Sequence, residues 1–600
     1  MTSEYLTPTI LDSRRLFGPN LFSTRPGAVL DVQYDSAATR QAAEQWPAQA
    51  RRLADALGWR TDVCSTHPSI AMASLFIAAP VDGLLTATDL TEHAWVAAES
   101  IVTQGGVPEA ITTHAVAILR DKYARERSVM PGVVAIEQDA YARHVSFSLD
   151  DSGCSVGSGA GVHLYAFSDA PDDADDDLEG DVGDDTPPAF DVPVALITGS
   201  NGKTTTTRLV AAMWRAAGRR TGWSCSDGVW VDDDRLESGD YTGPSGARRV
   251  LCDTRVEAAV LETARGGMLR RGLATTLVQG AIITNISADH FGEYGVETLD
   301  DLANAKAIVA RALRPASDLV LNADDPTLRA LAIKLAATLP VAVAWFSATD
   351  HPLIAESVAQ GSPASTVRDG QLLVHHAGAW HALGDVNAMP VTIGGTASHN
   401  IANATGAALL AATMGVPIDA IRATLASFGT RRDDNPGRLM VSRLGTLTIV
   451  IDYAHNPDGI AALIRTAAAI PATRRLLLIG QAGNRDDVQL RALATSAWAT
   501  QRFDRIIIKE MVGLLRGRPV GEIPLLLRSA FIAAGAPAEI IDDATSEIDA
   551  VRDALTWARA GDVLVLGVHF DRASVLALVD QLADGGWRPG DALPPTTISP

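Results

Sequence analysis

Residues 198–207 read TGSNGKTTTT and lie between an apolar run and an amphipathic stretch. Gly199 and Gly202 let the backbone wrap an anion closely, and a helix starting just after them would aim amide groups and the positive end of its dipole at that anion. Lys203 can neutralise the β- and γ-phosphates of a nucleotide, and Thr204 can offer a hydroxyl to Mg²⁺, with Asn201 and Thr205 completing the loop. That is the chemistry of phosphoryl transfer, which rests on positioning and charge neutralisation. The general pattern G-x-x-x-x-G-K-[ST] would need glycine at position 197, where Ile197 stands. The shorter G-x-x-G-K-T argues against a generic GTPase or transport ATPase.

Other chemistry-bearing residues follow in order. Glu262 closes a strand-like run in VLETARGG, at the strand end where ligands gather in open α/β sheets. Arg265 could grip a substrate carboxylate bidentately, or simply lie on the surface. TNISADH brings Asn285, Asp289 and His290 together, and Lys306 follows in the helical stretch LANAKAIVARAL. Asn403 sits in HNIANATGAALL, and an amide both donates and accepts. Arg438 sits in PGRL, and Asp452 ends an apolar strand, where a carboxylate is odd without a partner. Each has a bland reading: a surface carboxylate, a structural histidine, a solvent-facing lysine, a helix amide bonded to a nearby loop.

The elements that must position these groups read as α/β throughout. VPVALITGSNGKTTTTRLVAAMWRAAG is a buried strand, a glycine turn and a helix. AAVLET (258–263), QGAIITNIS (279–287) and SDLVLNAD (317–324) alternate with helices, which implies a mostly parallel sheet covered on both faces. Residues 340–398 suggest a small antiparallel insertion. From about Pro436, LTIVIDYA, RRLLLIGQ, RIIIKE and DVLVLGV are four parallel strands of a Rossmann-like α/β unit. The N-terminal part mixes helical stretches (AAEQWPAQARRLADALGW, TEHAWVAAESIVTQ) with strand-like runs (SLFIAAPV, GVVAIEQ), an α+β pattern. Residues 169–190 are rich in Asp, Gly and Pro, too polar to offset their ordering entropy, and read as an acidic flexible linker. The expected division is an N-terminal domain over 1–168, the linker, a central nucleotide domain over 191–430 and a C-terminal domain over 431–600.

The bulk properties narrow the partners. The chain has 600 residues, 47% of them hydrophobic, and a net charge of −21. So acidic a surface repels nucleic acid and anionic lipid, so neither is an expected partner. The four cysteines, Cys64, Cys154, Cys225 and Cys252, form no CxxC pair and read as reduced thiols. No secretory signal and no membrane span is visible, and cytoplasmic location is expected.

Taken in order, GSNGKTTT, VLETARGG, TNISADH, Lys306, LNADDP, HNIANATGAALL, PGRL, DYAHNPDG and GQAGNRDD resemble the motifs of the Mur ligase superfamily, which joins amino acids to carboxylates with ATP. SDGVW, GDYTGPSGAR, LETARGGMLRRGL and the N-terminal RLFGPNLFSTRPG are similar to strings of the cyanophycin synthetases, in which an ATP-grasp module adds aspartate and a Mur-like module adds arginine. The place of the ATP-grasp module holds only the acidic linker here, so the chain resembles a short form with one ligase site.

The resemblance implies ATP and Mg²⁺ as cofactors. It implies Lys203, Glu262, His290 and Lys306 as catalytic, and Thr204, Glu262, His290 and a carbamylated Lys306 at the metals. Asn403 would read the adenine edge, Arg438 the phosphates and Asp452 the ribose. Asn484, Arg485 and Asp486 are candidates for choosing the amino acid. The implied activity couples a carboxylate, activated as an acyl phosphate, to an amino acid amine on an aspartyl peptide or polymer, in a homo-oligomer. Two alternatives stand beside it: a non-catalytic ATP- or polymer-binding partner of a full-length synthetase, and a cell-wall ligase, which the RLFGPN and TARGG strings disfavour.

Overall fold

The computed structural model describes residues 10–60, 63–107, 109–167, 188–288 and 291–595. His290 and Asp289 lie outside them, as does most of the acidic segment read as a linker.

The N-terminal region is α+β. Strands Ile10–Leu16, Gly27–Gln33, Met72–Ala78 and Cys64–Pro68 form a four-stranded antiparallel sheet in that order. Helices Ala37–Ala56 and Leu84–Gln104 bury Trp46, Leu53, Leu90 and Trp95 against it. The run GVVAIEQ, strand-like by its β-branched residues, is instead the start of helix Val133–Ala142. Val133 and Ala140 of that helix are buried in the N-terminal core, with Val134 and Ile136 packed beside them, so burial decides over β-propensity. A three-stranded antiparallel sheet (Phe147–Leu149, Gly153–Val156, His163–Ala166) leads into the central region.

The central sheet has eleven strands. Seven are consecutive and parallel: Thr221–Cys225, Ala258–Glu262, Val194–Thr198, Val278–Ile283, Leu313–Asn322, Ala342–Ser347 and Ala364–Arg368. The antiparallel character expected for 340–398 is real but is no separate unit. Gln371–His376 and Ala379–Asp385 extend one edge of this same sheet, and the hairpin Gly228–Val231 with Asp234–Ser238 extends the other. Helices Lys203–Ala216 and Ser398–Thr413 pack together over one face, with Leu209, Val210, Leu409 and Leu410 fully buried.

The C-terminal sheet runs Met440–Leu444, Leu447–Asp452, Val563–Gly567, Arg475–Ile479, Arg505–Lys509, Ile541–Ala544. All neighbours are parallel except the first pair, a hairpin. The four anticipated strands are all present, and the two short edge strands join them. Among the described residues no helix is long and apolar enough to cross a membrane.

Candidate active site

Strand Val194–Thr198 lies mid-sheet, and the chain leaves it toward both sides, so the crevice beyond its carboxyl end is a topological switch point. The phosphate loop occupies that crevice. Gly199 has φ +149° and Gly202 has φ +83°, both in the region that favours glycine. Space demands glycine as well: a Cβ on Gly199 would lie 1.9 Å from Thr284 Oγ1, and one on Gly202 would lie 2.1 Å from Asn403 Oδ1. Gly202 caps helix Lys203–Ala216 without a side-chain bond, which leaves the first helical amides open to a ligand.

Lys203 Nζ folds back on the loop and donates to Gly199 O at 3.0 Å and Ser200 O at 2.9 Å. Lys306, buried at 4% exposure, donates to the same Gly199 O at 2.8 Å. Thr204 Oγ1 donates to Glu262 Oε2 at 2.9 Å and lies 3.1 Å from Ser226 Oγ, and Ser226 N also donates to Glu262 Oε2 at 3.2 Å. Burial pushes the Glu262 carboxyl above the usual carboxylate range, against the opposing pull of Lys203 and Arg438. A buried carboxylate flanked by two hydroxyls suits a hard cation such as Mg²⁺. Among the described residues no three His, Cys, Asp or Glu side chains converge into an all-protein metal cage, as is usual for Mg²⁺, which keeps waters and substrate phosphates as ligands.

The C-terminal domain closes the other wall. Arg438 Nη2 donates to Ser226 Oγ at 2.8 Å, and its guanidinium lies 4.3 Å from the centre of the Tyr453 ring. Asp452 accepts from Leu439 N at 2.6 Å, and burial raises its carboxyl. Asn201 Oδ1 accepts from Asn456 Nδ2 at 2.9 Å, and its backbone N donates to Asn285 Oδ1 at 2.9 Å. Thr205 Oγ1 accepts from Asn435 Nδ2 at 3.1 Å. Asn403 is buried and donates to Asn400 Oδ1 at 3.2 Å, its side chain leaning over Gly202. Apart from Gly199, Lys306, Asn435 and Asn456, these groups line a single cavity of about 510 Å³ between the two domains, which also reaches Asp240, Thr242 and Arg465.

The structure therefore brings together Gly199, Asn201, Gly202, Lys203, Thr204, Thr205, Glu262, Lys306, Asn403, Arg438 and Asp452. It does not free Arg265 for a substrate: that side chain is buried and ion-paired with Glu293. Nor do Asn484, Arg485 and Asp486 line this cavity. Asp486 caps helix Asp487–Thr500 through Gln489 N at 2.8 Å, and Arg518 donates to Arg485 O at 2.7 Å.

Sequence reasoning passed over a second set. Asp227 is buried at the domain boundary, where Arg208 of the phosphate-loop helix (3.0 Å) and Arg572 of the C-terminal domain both bind it. Burial would raise its carboxyl, but Arg438, Arg572 and Arg208 together outweigh burial and hold it low. The string SDGVW carried Ser226 and Asp227 in plain view, yet nothing local in it signals a partner 345 residues away.

Residues 197–411 match the Mur ligase middle domain, and residues 437–573 match the Mur ligase, glutamate ligase domain. The chain is 36% identical over 376 residues to the cyanophycin synthetase of Trichormus variabilis, covering 62% of this chain and 41% of that one. It is 27% identical over 391 residues to the UDP-N-acetylmuramoyl-L-alanyl-D-glutamate–2,6-diaminopimelate ligase of Chlorobaculum tepidum, covering 62% and 70%. Among solved structures it is similar to E. coli FolC in complex with ADP, without folate substrate, at 18% identity and a TM-score of 0.48, covering 66% of this chain and 90% of that one. The chain thus spans about two fifths of the length of the cyanophycin synthetases it matches.

Proposed function

Since the chain belongs to the Mur ligase family, whose two domain models together match more than half of it, we propose that it is an ATP-dependent, ADP-forming amide ligase acting on an aspartyl peptide or polymer. The observation that carries this reading is the arrangement around the phosphate loop. Glycine-lined backbone, Lys203 and the Glu262–Thr204–Ser226 cluster face Arg438 and Asp452 across one cavity.

In this reading the nucleotide's phosphates take the place of the carbonyls that Lys203 now holds, and the helix amides after Gly202 share their charge. Thr204 and Glu262 would hold Mg²⁺, with His290 and a carbamylated Lys306 at a second ion; bound there, the metal supplies neutralisation of phosphate charge. An acceptor carboxylate oxygen attacks the γ-phosphorus, the bond to the ADP oxygen breaks, and an acyl phosphate forms. The amino acid's nitrogen then attacks the acyl carbon, phosphate leaves with the C–O electron pair, and the amine sheds a proton to solvent or base. Arg438 would steady the phosphates from the C-terminal side, a role its bond to Ser226 beside Thr204 supports. The carbamylation of Lys306 has an electrostatic motive: two ammonium groups sharing Gly199 O repel each other, and an anionic carbamate would turn that repulsion into attraction.

The test is turnover. Purified protein with ATP, Mg²⁺ and β-aspartyl peptides, given each amino acid in turn, is expected to release phosphate and yield a product heavier by one residue. Both signals vanish in Lys203→Ala. ATP binding without phosphate release for any acceptor would favour the non-catalytic partner instead.

A further inference from the structure

A second cavity, of about 550 Å³, lies between the N-terminal sheet and the central domain and shares no lining residue with the nucleotide cavity. Its walls mix apolar side chains, Phe22, Met72, Val296 and Leu335 among them, with polar ones that include Asp301 and Arg311. Phe22 is fixed by edge contact with His67 at 4.7 Å and by stacking on Phe76 at 5.1 Å.

Into this space comes Arg311. Its Nη2 donates to the backbone carbonyl of Leu21 at 3.2 Å, and among the described residues no carboxylate pairs with it. Burial pulls its pKa down with no opposing charge, and burial followed by the Arg311 charge pulls His67 down as well. Of the acidic groups nearby, Asp301 lines the cavity and accepts from Thr298 N at 2.9 Å and Glu297 N at 3.2 Å, and Asp300 pairs with Lys334. A half-buried guanidinium without a counter-charge is unfavourable in a chain carrying a net charge of −21, where carboxylates are abundant.

We propose that this cavity is a second binding site, which takes the carboxylate of an acidic peptide on Arg311. Carboxylate is favoured over phosphate by the surroundings. The C-terminal half of helix Pro326–Thr338 lines the cavity through Leu331, Lys334, Leu335 and Thr338, and the negative end of its dipole opposes a dianion more than a monoanion. Asp301, in the first turn of helix Leu299–Lys306, also lines the cavity, and its carboxylate repels a dianion more than a monoanion. The apolar side chains of the walls accommodate the methylene and backbone surfaces of a peptide.

The site deepens the ligase reading and rests on it only for the nature of the acidic chain. Lys306 and Arg311 stand five residues apart on one rod, helix Leu299–Lys306 running into the 3₁₀ turn Ala307–Ala312. Five residues advance roughly 8–10 Å along such a rod, so Arg311 and Lys306, which bonds the phosphate loop at Gly199 O, are carried by one element.

The test is equilibrium binding to the full chain without nucleotide, using N-acetyl hexa-aspartyl amide as probe and inorganic phosphate as competitor. The wild type is expected to bind the peptide, and Arg311→Met to weaken it by about tenfold or more, with Arg311→Lys between. Affinity for a non-hydrolysable ATP analogue should be unchanged, and the melting temperature of Arg311→Met unchanged or raised, because a stranded charge has been removed. Asn304→Trp, which fills the cavity from the same rod, should cause the same loss if Arg311→Met proves unstable. Equal affinity in wild type and Arg311→Met, no peptide binding by the wild type, or displacement by phosphate as effective as by peptide would each overturn the proposal. Peptide binding dependent on Arg311 in a protein that turns over no acceptor would sink the ligase reading and leave this site standing.

Discussion

Arg572→Met isolates the bond that holds the two halves of the nucleotide site together. Asp227 is 6% exposed at its side chain and Arg572 23%, and the pair joins the hairpin beside the phosphate loop to the C-terminal domain. Methionine keeps most of the aliphatic stem that packs against Gly437, whose Cβ position lies 2.3 Å from Arg572 Cδ. It also leaves Asp227 paired with Arg208, so no buried charge is stranded. A charge-assisted hydrogen bond of this kind contributes about 1.5–3 kcal/mol. If that energy favours the closed arrangement, its loss lowers the closed-to-open ratio roughly 10- to 150-fold. Nucleotide gripped by both domains should weaken by up to the same factor, read by calorimetric titration of a non-hydrolysable ATP analogue. Small-angle scattering with bound analogue should show a more extended molecule. Asp227→Asn should weaken binding too, and the double variant should be little worse than the stronger single one, because both remove one interaction. Additive effects, or an Arg572→Met affinity within twofold of wild type, would refute the latch.

Three further outcomes follow from the site. Gly202→Ala should abolish measurable nucleotide binding, since its Cβ would meet Asn403 Oδ1 at 2.1 Å and its φ of +83° strains any L-residue; truncating Asn403 to Ala should restore little of it. Asn456→Ala removes the 2.9 Å bond to Asn201 and should weaken nucleotide by about fivefold, the share of an ordinary neutral hydrogen bond near 1 kcal/mol, measured by the same titration. The Glu262 carboxyl is raised by burial, so its ionised form is disfavoured in the folded chain and a proton competes with a cation for it. Mg²⁺ affinity should therefore climb as pH rises toward that raised value and level off above it, with the slope lost in Glu262→Gln.

Much of the site was legible because its determinants are local. A glycine loop between a buried strand and an amphipathic helix declares its conformation, and Gly199 and Gly202 take the positive φ that such a turn requires. Parallel strands buried on both faces read as continuous apolar runs, which is why the central and C-terminal sheets were visible. What escaped was set by tertiary contact. GVVAIEQ has the composition of a strand but is helical because its apolar side chains fill the N-terminal core. Arg265 has the position of a substrate clamp but is taken by Glu293, a pairing that spans 28 residues. The antiparallel strands near residues 371–385 look foreign in sequence yet hydrogen-bond directly to the parallel sheet. Asp227 and Arg572 are unremarkable one at a time and acquire meaning only when the two domains meet.

The central claim is that the acceptor's carboxylate is activated by transfer of the γ-phosphoryl group. The direct measurement is to run the reaction with an acceptor whose carboxylate carries oxygen-18 and to weigh the phosphate released. The account predicts that phosphate gains one heavy oxygen for each amide formed, and that Lys203→Ala gives neither. Amide product accompanied by unlabelled phosphate would contradict it.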